Sequence, residues 1–180
     1  LRGGIRAVQY RPWKPSDADF TAAARRLRDI TAAAGALLII NDRADIASLC
    51  QADGIHLGSR DISIADAFRL LGDDAIVGYS AHERTEAYAA AEAGATYLTY
   101  SPVFPTTSTS DPRPVKGVDE FMRVTMNIAV PVFALGGVSE ANAAQLLAEG
   151  IDTVAMVSAI TEAPDIEAAA RRLCGIFGQN

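Results

Sequence analysis

Two strand-to-loop turns near the C-terminus carry the residues best suited to holding an anion. Val132-Phe-Ala-Leu-Gly-Gly-Val138 and Val154-Ala-Met-Val-Ser-Ala-Ile160 each stop a short apolar run at small residues before a helical pattern begins. Gly136 and Gly137 leave the backbone bare, so an anion could approach their N–H groups directly. Val157 and Ser158 offer a second set of donors. Turns after the seventh and eighth strands of a βα barrel recur as phosphate sites. A phosphorylated small molecule is the expected ligand.

Other chemistry-bearing residues also sit where strands should end. Asp42 and Asp61 follow neighbouring apolar runs, close enough to share a cation, and Mg²⁺ commonly takes one or two carboxylates plus water and phosphate oxygens. A helix cap for Asp42 and a loop turn for Asp61 are the plainer alternatives. Gln9 and Arg11 share a strand face, because side chains alternate with period two. Turned inward they could hold a phosphate or a heterocycle; turned outward they would be solvated. His56 is expected to be packed rather than a ligand. Ser80 and His82 suggest a nucleophile and its base, but no G-x-S-x-G elbow surrounds Ser80, which favours a positioning hydroxyl. The hydroxyl-rich, Pro-punctuated segment 104–117 reads as a surface loop or as a lid meeting phosphate oxygens.

The elements that must position these residues repeat as strand, loop and helix. Helical patterns end in Gly35, Gly54, Gly94 and Gly150, each followed by an apolar strand, and Gly there predicts a left-handed helix cap. With Ala7–Arg11, Ile76–Ser80 and Val132–Gly137 this predicts seven strands. Ser16 with Asp19 resembles a capping box opening a helix through Ala34. Further helices are expected over Ala44–Ala52, Ile64–Leu71, Glu83–Ala93, Val118–Met126, Ser139–Glu149 and Asp165–Phe177. Near-continuous apolar strands alternating with helices predict an α/β fold with a parallel sheet. Its regular cadence, without G-x-G-x-x-G or Walker A sequences, favours a closed (β/α)8 TIM barrel over an open doubly wound sheet. Seven strands are one short of closure, and the chain begins at Leu1. Residues 1–180 are thus expected to form a single barrel domain lacking its first βα unit of roughly 20–30 residues.

Composition narrows the partners. A 180-residue chain, 49% hydrophobic, can bury a full core. Its net charge of −6 disfavours nucleic-acid binding, which needs a basic face. No apolar run approaches the roughly 20 residues of a membrane helix, and Cys50 and Cys174 lack metal-ligand spacing. A cytoplasmic protein acting on small molecules is expected.

In order along the chain, Asn41-Asp42-Arg43, Asp53-Gly-Ile-His-Leu-Gly58 with Asp61, Gly78-Tyr-Ser80-Ala-His82, Ser101-Pro-Val-Phe-Pro-Thr106, Leu135-Gly136-Gly137 and Val157-Ser-Ala-Ile160 resemble thiamine-phosphate synthase and its sister branch, the thiazole tautomerases. The similarity runs from about Gly4 to the last helix. It implies a (β/α)8 barrel that joins hydroxymethylpyrimidine diphosphate to thiazole phosphate and releases diphosphate. Carried over, Asp42 and Asp61 would hold Mg²⁺. Gln9, Arg11 and Asn41 would meet the pyrimidine diphosphate, with Ser80 beside the diphosphate, so that Arg11 and Ser80 are the implied catalytic groups. Thr106 and Ser108, with the backbone of Gly137, Val157 and Ser158, would meet the thiazole phosphate. Barrels of this type often form homodimers.

The chain departs from that pattern at two cationic positions. Trp13 stands where the synthases usually carry Lys, with Lys14 one place late, and Thr109 replaces a second loop Lys. A slower synthase is expected unless Arg60, Arg113 or Lys116 substitutes. The tautomerase pattern has His after the sixth strand, where this chain has Pro102. A thiazole-phosphate isomerase and a non-catalytic phosphate-binding homologue therefore stay as alternatives.

Overall fold

The computed structural model describes residues 1–106 and 113–178. β1 (Ala7–Tyr10), β2 (Leu37–Asn41), β3 (Gly54–Leu57), β4 (Ile76–Ala81), β5 (Tyr97–Tyr100) and β6 (Val132–Ala134) form one parallel sheet in sequence order. Helices α1 (Asp17–Ala33), α2 (Ala44–Leu49), α3 (Ile64–Leu71), α4 (Arg84–Glu92) and α5 (Val118–Thr125) make the crossovers. After β6 come α6 (Glu140–Ala148), the single turn α7 (Ser158–Thr161) and α8 (Ile166–Phe177). Because all six strands run the same way, their C-terminal ends share one rim.

Local chemistry sets several boundaries. Ser16 Oγ accepts from Asp19 N–H at 3.1 Å and starts α1. Asp19 does not reach back to the cap backbone as Glu would; its carboxylate takes the Ser16 hydroxyl instead, at 2.7 Å. Gly35, Gly94 and Gly150 adopt the left-handed conformation expected of them. Gly54 does not: Gln51 takes the positive φ, and Gly54 opens β3 where a Cβ would strike the Ile76 carbonyl. β1 ends at Tyr10, one residue before the expected Arg11, since Pro12 has no N–H to continue a ladder.

The seventh expected strand, at 150–155, is reduced to a single parallel bridge between Ala134 and Val154 among the described residues. Ala134 N–H donates to Thr153 O, and Ala155 N–H to Ala134 O. β6 itself stops at Ala134, short of the expected Gly137, as Gly136 and Gly137 turn left-handed. Its shortness leaves little edge for a neighbour to pair with.

The two faces of the sheet differ in chemistry. Leu38 and Ile40 pack with Phe20, Ala24, Ile46 and Ala47 of α1 and α2. Ile55, Leu57, Val77, Leu98 and Tyr100 pack with residues of α3 to α6. The alternate positions, Asn41, His56, Tyr97 and Thr99, face the other way, and three of these, Asn41, His56 and Thr99, are buried polar residues. At the N-terminal ends, Asp53 accepts from Arg28 and from Leu38 N–H, both at 2.7 Å, tying α1 to the sheet. No helix among the described residues is long and apolar enough to cross a membrane.

Candidate active site

The strand rim gathers most of the residues singled out from the sequence. Tyr10 packs edge-on against Phe20 of α1, with ring centroids 5.2 Å apart. Strand alternation therefore turns Gln9 to the inner face, where its Nε2 donates to Asn41 Oδ1 at 3.4 Å. The Arg11 charge is felt by both Asp42 and His56, so the guanidinium belongs to the same mouth.

Asp42 and Asp61 come together. Asp42 is pushed up to about 6 by partial desolvation first, then by the neighbouring Asp61 carboxylate. Arg11 and Asn41 oppose the rise. The helix-cap alternative fails for Asp42: Arg43 is the N-cap of α2, without a side-chain cap bond. Asp42 instead has φ 62°, a left-handed conformation that a carboxylate residue tolerates at functional positions. Asp61 does hold its own loop, as Oδ2 accepts from Gly58 N–H at 2.6 Å. Two crowded carboxylates beside open solvent suit a divalent cation, which would relieve their repulsion and take its other ligands from water or phosphate. No group of three or more His, Cys, Asp and Glu that could hold a metal ion occurs among the described residues.

Below the rim, His56 is a packed residue. Its Nδ1 pairs with Tyr97 Oη at 2.9 Å and its Nε2 with Thr99 Oγ1 at 3.3 Å, leaving neither nitrogen for a ligand. Burial, with the charges of Arg11 and His82, lowers His56 to about 4, and burial raises Tyr97. The sequence reading missed Tyr97 and Thr99. Their signal was present, because period-two alternation puts both on the face of the buried histidine.

The structure shows a close-packing role for Gly136 and Gly137. A Cβ on Gly136 would lie 2.7 Å from Pro102 Cα, and one on Gly137 would meet Pro105 O and sit 2.8 Å from Phe104 Cβ. The two glycines allow the loop after β6 to lie against the loop after β5, also joined by Val103 N–H to Leu135 O and Phe104 N–H to Gly136 O. Val157 is exposed, and Ser158 begins the four-residue helix α7. Thr106 lies at the end of the described part of the loop after β5; Ser108 and Thr109 lie outside the described residues.

The candidate substitute cations differ in setting. Lys116 Nζ is held by Glu83 Oε1 at 2.6 Å, so a local carboxylate already matches its charge. Lys14 Nζ lies 5.5 Å from the Trp13 ring centroid. Arg60 is exposed beside Asp61, and Arg113 is exposed too.

Comparison with known proteins identifies the family. A family model described as thiamine monophosphate synthase matches residues 1–160. A thiamine-phosphate synthase of Chloroflexus aurantiacus is 42% identical over 171 residues, 95% of this chain and 79% of the relative. One from Methanoregula boonei is 40% identical over 171 residues, covering 95% of this chain and 79% of the relative. Among solved structures, a thiamine phosphate pyrophosphorylase from Pyrococcus furiosus superposes with a TM-score of 0.89 at 31% identity, over 99% of this chain and 85% of that one. With the family model spanning residues 1–160 and relatives about 40% identical over nearly the whole chain, the chain belongs to the thiamine monophosphate synthase family.

Proposed function

We propose that this protein is a thiamine-phosphate synthase, a transferase that joins hydroxymethylpyrimidine diphosphate to thiazole phosphate. The observation that carries the reading is the Asp42–Asp61 pair facing Arg11 at the strand rim, an arrangement of opposite charges suited to a diphosphate and its cation. The same proposal takes the sheet as part of a (β/α)8 barrel in one domain. The sequential parallel order and the Ala134–Val154 bridge beyond β6 support closure. A cytoplasmic homodimer is part of the same reading.

Asp42 and Asp61 would hold Mg²⁺, which would supply charge neutralisation for the leaving diphosphate. Arg11 binds the diphosphate oxygens, while Gln9 and Asn41, already hydrogen-bonded to each other, orient the pyrimidine. The methylene C–O bond breaks with its electron pair going to diphosphate, and the thiazole nitrogen then forms the new C–N bond. Ser80 stands at the end of β4 as a hydroxyl donor to the departing group. The loops after β5 and β6 hold the thiazole phosphate through Thr106 and the backbone around Gly137. Val157 and Ser158 complete that cradle.

The test is direct. Purified protein with both substrates should yield thiamine phosphate and diphosphate with Mg²⁺, and little of either with EDTA. Diphosphate release unaffected by EDTA, or thiazole-phosphate binding with no product, would defeat the reading. The absent lysines predict a slow enzyme, each lost contact costing roughly 10²–10³ in rate.

A further inference from the structure

Ser80 and His82 face the same way at the end of β4, with Ser80 Oγ and His82 Nε2 3.3 Å apart. The imidazole is anchored on its other side. Nδ1 lies 3.0 Å from the Ser101 carbonyl oxygen and 3.2 Å from Ser101 Oγ, and Ser101 is buried. A carbonyl oxygen only accepts, so Nδ1 carries a hydrogen and donates to it. The backbone is tied as well, since His82 N–H donates to Glu86 Oε2 at 2.7 Å. Ring position and Nδ1 protonation are both set by the surrounding chain.

This anchoring leaves two arrangements for Ser80. With a neutral ring, Nε2 accepts the Ser80 hydroxyl hydrogen, and Ser80 presents only lone pairs outward. With a protonated ring, Nε2–H donates to Ser80 Oγ, and the hydroxyl hydrogen is free to point at the rim. A phosphate oxygen is an acceptor, so only the second arrangement binds it. Charged groups near the ring are Glu86, bonded to its backbone, the Glu83–Lys116 pair at the start of α4, and His56, which senses the His82 charge.

We propose that His82 is the positioning residue that turns Ser80 into a donor for an anionic phosphate group, passing a proton through it. A proton taken up from the solution buffer occupies Nε2 when the anion binds; Ser80 Oγ accepts from Nε2–H and donates its own hydrogen to the phosphate oxygen. As the leaving oxygen gains the C–O electron pair, it takes the Ser80 hydrogen, Ser80 takes the His82 proton, and the ring returns to neutral. This rests on the synthase reading for the identity of the anion.

The test uses inorganic pyrophosphate with Mg²⁺, measured by calorimetry on the whole protein. Ser80→Ala and His82→Ala should each weaken binding about tenfold or more, and the double variant should bind no worse than Ser80→Ala within about twofold. His82→Gln, whose amide can present a permanent donor, should restore most of the affinity. A His82→Ala loss that persists in the Ser80→Ala background would overturn the proposal, as would wild-type affinity in His82→Ala. Should His82→Ala fail to fold, two buffers of different ionisation enthalpy decide the matter. Wild type should take up more protons on binding than Ser80→Ala, and equal uptake would refute the relay. Failure of the synthase reading looks different: the pyrophosphate cycle holds, yet wild type makes no thiamine phosphate.

Discussion

Tyr97 on β5 reaches across β4 to hydrogen-bond His56 on β3, at 2.9 Å from Nδ1. It can do so because Gly78 lies between them in register, and any Cβ there would strike the Tyr97 ring. The phenol ring takes the space of the absent side chain, so a glycine on β4 determines how the buried histidine beneath the rim is held.

Gly78→Ala should therefore destabilise the protein by about 1–3 kcal/mol, through overpacking in a tight interior. Tyr97→Phe keeps the shape but leaves His56 Nδ1 without a partner, at a cost of about 1–3 kcal/mol. Urea unfolding of both variants checks this. A Tyr97→Phe protein as stable as wild type would show that the bond contributes nothing.

His56 should make the fold acid-sensitive. Its native value is about 4 against an ordinary 6.5, so the unfolded chain binds the proton first as pH falls. Stability is full above about pH 6.5 and declines toward pH 4, by at most about 3 kcal/mol. Asp42, raised to about 6, acts in the opposite direction, losing stability as pH rises from 3.8. The His56 share is thus the difference between wild type and His56→Gln. Parallel stability curves for the two proteins from pH 4 to 7 would remove it.

Gly137 and Gly150 separate close contact from backbone strain. Both have positive φ, 69° and 75°, but a Cβ on Gly150 meets nothing within 4 Å. Gly150→Ala should cost only about 1–2 kcal/mol for the left-handed backbone. Gly137→Ala should cost more and also weaken thiazole-phosphate binding, because it drives the loop after β6 away from Phe104 and Pro105. Thermal unfolding and calorimetry measure the two effects. Equal losses of stability would contradict the close-approach role.

Asp61→Asn should lower the Asp42 value only part of the way from about 6, since desolvation, the larger cause, stays while the Asp61 charge is removed. NMR titration of the Asp42 carboxyl reads this without any activity. The same variant should raise the Mg²⁺ requirement and cut turnover roughly 10²-fold. An unmoved Asp42 titration would mean that the two carboxyls do not interact in solution.

The chain's own pattern was enough for the α/β class, seven of the eight helices among the described residues (the single turn α7 being the exception) and the composition of the rim. Ile64–Leu71 was legible to the residue, because Ser63, its cap, and a following apolar period mark it locally. Gln9, Arg11, Asn41, Asp42 and Asp61 were legible too, since each lies in or soon after the end of an apolar run, and in a parallel sheet all such ends meet at one rim. Tertiary structure alone decided what those residues touch. Gly54 and Gly137 read as a cap and a bare anion site, yet their neighbours are Ile76 and Phe104, 22 residues ahead and 33 residues back in the chain. Tyr97 stayed silent because a tyrosine in a strand looks the same whether it packs on a helix, as Tyr100 does, or bonds a histidine two strands away. Period and punctuation are local properties of a chain, whereas close approach and hydrogen-bond partnership exist only once distant strands lie side by side.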